Sequence, residues 1–198
     1  MKKLLLLIIS ICWLSSESIA QANIYKGIGT IVFEAGAPLS LIKGTSEAAN
    51  GVIDLETGKF RFDVPINSFQ FLNSLMHERF NDKYMQSHRF QRAIFTGEIT
   101  DRKPIANGKG TKLTATGTLT IHGVSQKRTI IGILSQKGDV WQLASDFMVN
   151  LEDHHIQAPK LSSGYGAHTM QVALQMPLKQ QGSTPQQPIA ASRKLSLK

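Results

Sequence analysis

Cysteine and long apolar runs are scarce in this chain of 198 residues. The single cysteine, Cys12, lies inside the N-terminal apolar run 4–14. One thiol cannot form an internal disulfide, and the usual ligand set of a structural zinc site is also missing. No segment after residue 20 approaches the roughly 20 apolar residues that a membrane-spanning helix needs. Stability must therefore come from a hydrophobic core.

The first residues, 1–20, have the pattern of a secretory signal peptide. Lysines precede the apolar run, and small residues up to Ala20 occupy the positions that a signal peptidase recognises. We expect cleavage after Ala20 and export of the mature protein. Lipidation of Cys12 is the alternative, but the bulky Ile11 stands where a lipidation signal needs a small residue.

Clustered basic residues are also lacking, although the formal net charge is +8. Residues 21–178 carry 16 basic and 13 acidic side chains, and the segment 179–198 adds four basic residues without an acidic one. The basic residues are scattered singly and are not interleaved with aromatic residues, which argues against a nucleic-acid partner.

The chain divides into the signal peptide 1–20, one domain at 21–178 and a tail at 179–198. The middle segment is long enough for one well-buried core. The tail is rich in Gln, Ser and Pro, which predicts disorder. Its basic residues suit transient contact with an anionic membrane surface, and the alternative is a solvated tail without a partner.

Period-two alternation of apolar and polar residues dominates the domain. Phe60, Phe62 and Val64, for example, alternate with Lys59 and Arg61. The same pattern predicts strands at 25–33, 39–46, 51–55, 59–66, 93–100, 112–121, 127–135, 141–151 and 170–176. Glycine-containing turns are predicted at 56–58, 107–108, 122–123 and 137–138. These signals indicate an antiparallel meander of eight or nine strands.

One segment, "FLNSLMHERFNDKYM", departs from this alternation. Its apolar residues Leu72, Leu75, Met76 and Phe80 recur at three- and four-residue intervals. This spacing predicts an amphipathic helix at about 71–84 whose apolar stripe packs on the sheet or over its open end.

About eight antiparallel strands can close into a barrel, which removes exposed sheet edges. A barrel of this size either fills with its own side chains or holds one small ligand. The small residues Ala115, Gly117 and Gly132 leave space inside, and the sequence does not decide whether neighbouring large residues fill it. The fold class predicted from the residues is therefore all-β, an antiparallel barrel with one short helix.

At this point the sequence resembles the YceI-like family. The motif "GTLTIHGVSQKRTI" at 117–130 carries the most specific similarity. The run "VPINSFQFLNSLMHERFNDKYMQSHRFQRAIFTGEI" at 64–99 resembles the family's strand, helix and following strand, and "NLEDHHIQAPKL" resembles its closing segment. The similarity covers nearly all of 24–178. Arg92 departs from the pattern, because the family usually has proline there.

The resemblance implies an extended lipocalin-like barrel in the periplasm that binds a polyisoprenoid chain in its apolar interior and is not an enzyme. The expected ligand is an amphiphile such as a quinone or a polyprenyl lipid. The alternative is a barrel with a filled core that serves as an envelope interaction or scaffold protein. The residues expected to line the ligand cavity are Phe62, Val64, Leu72, Met76, Phe80, Phe95, Leu119, Ile121, Ile131, Ile133, Phe147, Val149, Val172 and Leu174.

Other chemistry finds little support in the residues. His154 and His155 are adjacent, and on a strand they face opposite sides, so we expect no metal site. Asp153 and His154 point apart for the same reason and do not form a catalytic pair. The "SSGYG" stretch at 162–166 lacks the strand-to-helix context of a nucleophile elbow. We therefore expect no catalytic residues and no cofactor.

Overall fold

The computed structural model describes residues 23–35, 42–101, 110–138, 140–157 and 168–181. The predicted signal peptide, the Asn-Gly turn at 107–108, the "SSGYG" stretch and the tail beyond residue 181 lie outside these residues.

Eight strands form one sheet in which each strand pairs antiparallel with the next. The last strand also pairs antiparallel with the first, and this pairing closes the barrel. The predicted fold class is therefore confirmed. The strands are β1 (Ile24–Ala35), β2 (Lys43–Asp54), β3 (Lys59–Pro65), β4 (Arg92–Ile99), β5 (Thr111–Ile121), β6 (Val124–Lys137), β7 (Val140–Asn150) and β8 (Thr169–Gln180).

The strand predicted at 51–55 and the described part of the strand predicted at 39–46 belong to one continuous strand, β2, whereas residues 39–41 lie outside the described residues. Its pairing with β1 shifts register between Gly29 and Ile31, which marks a bulge. Both Ser46 and Ala49 are consequently buried, although they are three residues apart. A bulge restarts the alternation of faces, and for this reason the sequence pattern indicates two short strands.

The turn between β5 and β6 is confirmed at His122 and Gly123. Ile121 pairs with Val124, so the loop contains only these two residues, with φ of 51° and 74°. Positive φ at both positions is typical of the type I′ turn that joins twisted antiparallel strands tightly. The turn fixes the register of the strand pair that carries the most specific sequence motif.

The α-helix predicted at 71–84 is shorter in the structure, and its second half has π-helical geometry. The α-helix α1 (Ser74–Arg79) is followed by a wider π-helical turn at Phe80–Tyr84. The side chain of Asn73 caps α1 by accepting hydrogen bonds from the backbone N–H groups of Leu75 and Met76. Among the described residues, no helix is long and apolar enough to cross a membrane.

Two of the four stripe residues face the barrel, Met76 and Phe80. Leu75 is 49% exposed and Leu72 is fully exposed, so the predicted stripe is wrong for both. The physical reason for Leu72 is the cap at Asn73: a residue before the cap does not share the face of the helix that follows.

The connection between β3 and β4, which contains α1, and the connection after β7 lie at the same end of the barrel, here called the helix end. An aromatic cluster of Phe33, Phe69, Phe71 and Phe80 packs there. The ring centroids of Phe71 and Phe80 are 4.9 Å apart, and those of Phe33 and Phe80 are 5.4 Å apart. This cluster covers the interior at the helix end.

Candidate functional site

The barrel interior is not filled by its own side chains. A cavity of about 150 Å³ lies behind the aromatic cluster, and a second cavity of about 110 Å³ lies deeper in the barrel. We call them the helix-end cavity and the mid-barrel cavity. They adjoin, because five residues line both: Ile31, Val64, Ala93, Leu119 and Phe147.

The surface of the helix-end cavity is entirely apolar; Tyr84, whose residue type carries a hydroxyl, exposes only apolar atoms to it. In the mid-barrel cavity, the buried Ser145 donates its hydroxyl to the carbonyl oxygen of Ile131 at 2.7 Å. An apolar cavity of about 150 Å³ is known to stay dry and to accept a ligand of the size of benzene. On that scale the two cavities together hold roughly ten carbon atoms.

Eleven of the fourteen residues predicted to line the interior do so. The alternation of each strand directs these side chains inward, and Met76 and Phe80 reach the interior from the helical segment. The eleven are Phe62, Phe95 and Leu174 in the mid-barrel cavity, Met76, Phe80, Ile121, Val149 and Val172 in the helix-end cavity, and Val64, Leu119 and Phe147 in both. Their contact with a ligand stays a prediction.

The predicted place inside the barrel is wrong for Leu72, Ile131 and Ile133. Leu72 precedes the helix cap, and the two isoleucines are 45% and 52% exposed on the outer face of β6. Ile130 and Leu134 are buried instead. The stretch "TIIGIL" is apolar at both alternating positions, so the pattern does not decide which set faces inward, and a shift of one residue exchanges the faces.

Several lining residues were missed although the sequence carried a signal for them. Met170 and Met176 continue the alternation of Val172 and Leu174 along β8, and both are buried. Tyr84 lies four residues after Phe80 and also lines the helix-end cavity. Ile42 and Ile156 had no such signal, since they lie outside regular strands and helices.

The wall of the barrel contains a gap between β6 and β7. These strands pair only from Gly132 and Ser145 to Lys137 and Val140. Towards the helix end, residues 124–131 of β6 stay paired with β5, and residues 146–150 of β7 stay paired with β8. The two strands therefore diverge, and we call the gap between these two segments the seam.

Side chains close the seam in place of a backbone ladder. The guanidinium of Arg128 donates to the carbonyl oxygen of Met148, and the amide of Gln126 donates to the carbonyl oxygen of Asp153 at 2.7 Å. The Nδ1 atom of His154 donates to the carbonyl oxygen of Val124 at 3.0 Å. These bonds satisfy backbone carbonyls along the diverging segments.

His154 is the most buried charged or titratable side chain at the seam, with 1% exposure. Burial penalises the charged ring and lowers the pKa of His154 below its ordinary value, although the hydrogen bond to Val124 opposes this change. The ring atom Nε2 has no partner among the described residues. The imidazole is therefore held neutral at the seam.

The neutral His154 predicts a pH dependence of folding. The unfolded chain takes up a proton at this residue near pH 6.5, whereas the folded chain resists it, so the free energy of unfolding falls as the pH drops below about 6.5. Denaturant unfolding of the wild type and of His154→Gln from pH 7.5 to 5.0 tests this. The substitution should flatten the pH dependence, and His155→Gln, at an exposed ring, should leave it unchanged. Equal slopes in all three proteins would contradict the assignment.

Among the described residues, no three His, Cys, Asp or Glu side chains are grouped as a metal ion would require. At the seam, Arg128 and Asp153 form an ion pair in which the Nη1 and Oδ2 atoms are 3.9 Å apart. Glu152 is engaged by His168 at 3.0 Å. Apart from His154 Nε2, the polar side chains described at the seam thus pair with one another, with His168 or with the backbone.

Comparison with known proteins identifies related folds. A model of the YceI-like domain matches residues 27–179. No curated protein sequence matches the chain. Among solved structures, a polyisoprenoid binding domain from Saccharophagus degradans, implicated in plant cell wall breakdown, has a TM-score of 0.64 at 13% identity and covers 81% of this chain and 99% of its own.

Two further structures have the same fold. BcnA of Burkholderia cenocepacia has a TM-score of 0.61 at 15% identity, with 75% of this chain and 95% of that chain covered. A mutant YceI protein of Campylobacter jejuni has a TM-score of 0.57 at 18% identity, with 72% and 86% covered. At these identities the likenesses concern the fold alone.

Proposed function

The chain belongs to the YceI-like family, and from this premise we propose that it is an exported lipid-binding protein. It holds the apolar tail of a polyisoprenoid or similar amphiphile, such as a quinone or a polyprenyl lipid, inside the barrel. The observation that carries the proposal is the pair of adjoining, apolar, unfilled cavities. One solved structure with this fold is a polyisoprenoid binding domain.

The binding free energy estimated for the apolar tail fits a carrier that binds this tail with low affinity. Each buried CH₂-sized group contributes about 0.8 kcal/mol, so roughly ten carbons contribute about 8 kcal/mol. Association costs at least about 4 kcal/mol in lost translational and rotational freedom. The tail alone is therefore held weakly, and a longer buried chain or contacts to the head group must supply the rest of the affinity.

The alternative function, an envelope scaffold with a filled barrel, expects side chains to occupy the interior. The two cavities count against it. Export rests on the signal-peptide pattern of residues 1–20, and the periplasm is the proposed compartment.

The test is organic extraction of freshly purified mature protein followed by mass spectrometry. We expect a prenyl lipid in the extract. Protein that has been unfolded in guanidinium and refolded in lipid-free buffer is the matched control and should give an empty extract. An empty extract from the fresh protein would count against the carrier and would favour the scaffold.

A further inference from the structure

The inward face of β6 changes from apolar to polar towards the helix end. Leu134 and Ile130 are buried in the interior, and period-two alternation places Arg128 and Gln126 on the same face. Lys127 and Thr129, on the other face, are exposed. A strand that lines an apolar cavity therefore ends in two hydrogen-bond donors on its inner side.

These donors lie at the seam; they are not among the residues that line the helix-end cavity, but lining residues stand on both sides of the seam. Ile121 on β5 and Val149 on β7 line that cavity on the two sides of the seam. Leu151 and Ile156, which flank the 3₁₀ turn Glu152–His154, also line it. A ligand that extends from the helix-end cavity into the seam therefore reaches these polar side chains.

Arg128 retains hydrogen-bonding capacity. A guanidinium has five N–H donors, and among the described residues its polar contacts are the carbonyl oxygen of Met148 and the carboxylate of Asp153 at 3.9 Å. Its side chain is 28% exposed. A further acceptor oxygen can therefore bind without displacing the bond that bridges the seam.

The charges at the seam favour a neutral acceptor. Asp153 offsets the charge of Arg128, and His154 is held neutral. A phosphate head group would be repelled by the carboxylate of Asp153, whereas a neutral carbonyl or hydroxyl oxygen would accept hydrogen bonds from the donors without this repulsion.

We propose that the seam is the head-group subsite of the barrel, where Arg128 and Gln126 donate hydrogen bonds to a neutral, oxygen-bearing head group. This inference rests on the proposed function, because it requires a lipid tail in the helix-end cavity. The hydrogen bonds at this subsite supply the part of the binding free energy that burial of the tail does not supply.

The test uses three probes that share a ten-carbon skeleton, matched to the volume of the cavities. These are geranyl-1,4-benzoquinone, geranyl phosphate and the hydrocarbon myrcene, each titrated into delipidated protein by calorimetry. In Arg128→Met the affinity for the benzoquinone should fall about 10- to 100-fold, as expected for loss of a hydrogen bond to a charged donor. The affinity for myrcene should change less than about threefold. Gln126→Leu should show the same selectivity with a smaller loss.

Arg61→Met is the matched control, because Arg61 is exposed on the outer face of β3. It should leave all three affinities unchanged, and circular dichroism checks that each variant is folded.

If Arg128→Met and Gln126→Leu are both folded and lower the affinities for the benzoquinone and for myrcene equally or not at all, the subsite is overturned and the carrier stands. If geranyl phosphate binds the wild type more tightly than the benzoquinone, the preference for a neutral head group is overturned. If the wild type binds none of the three, the carrier fails together with its subsite.

Discussion

Leu119→Arg is expected to abolish the retention of prenyl lipid by the purified protein. Leu119 is 5% exposed and lines both cavities, so it stands where they adjoin. A guanidinium at this position either fills the shared space or draws water into it. The penalty for burying the charge should also lower the free energy of unfolding by roughly 3 kcal/mol or more. Extraction and mass spectrometry of the folded variant measure the retained lipid.

The matched control for Leu119→Arg is Thr116→Arg, on the same strand. Thr116 is exposed, and its hydroxyl lies 3.2 Å from that of Thr129 on the outer face of the barrel. This variant should retain lipid. If Leu119→Arg does not fold, Ala93→Leu narrows the same shared space with an apolar side chain and should reduce retention. A folded Leu119→Arg protein with wild-type lipid content would show that the ligand lies elsewhere.

Phe80→Ala is expected to lower the free energy of unfolding by about 3–5 kcal/mol. Phe80 is buried and packs against Phe33, Phe69 and Phe71 at the helix end. Its removal enlarges the helix-end cavity and takes away the ring that contacts all three of these phenylalanines. Denaturant unfolding measures the change, and faster exchange of bound lipid should accompany it because the cover of the cavity is lost.

Leu75→Ala is the control for Phe80→Ala. Leu75 lies on the same connection but is 49% exposed, so its removal should change the free energy of unfolding by no more than about 0.5 kcal/mol. Similar losses in the two variants would mean that the helical segment contributes through its own stability and not through the aromatic cluster.

The sequence predicted the inward-facing side chains best where one face of a strand is apolar and the other is polar. Phe62 and Val64 on β3 alternate with charged residues, and both line the interior. It failed where both faces are apolar, as at Ile130 and Ile131, because the choice of inner face then depends on pairing with β5, which local pattern does not contain. The helix was overextended for a related reason: spacing indicated a stripe, but the cap at Asn73 decided where it begins.

The seam was not predictable. Gln126 and Arg128 lie among Ser125, Lys127 and Thr129, so that half of β6 is polar at every position and resembles an ordinary exposed strand. Only the pairing shows that the ladder to β7 stops at Gly132. Where two strands diverge is set by the twist and closure of the whole barrel, and no short stretch of sequence encodes it.

The pairing of β1 with β8 has a consequence for how the protein reaches its native state. Ala35 pairs with Met170, so joining these strands brings together residues separated by most of the domain. Such contacts must overcome the loop-closure entropy of the intervening chain, and topologies that depend on them fold in milliseconds to seconds. We expect the β5–β6 hairpin, with its two-residue turn, to assemble early and the β1–β8 junction to assemble last. A nascent chain in which Thr169–Gln180 has not yet been synthesised therefore has two unpaired strand edges, on β1 and β7, and both are liable to associate with other chains.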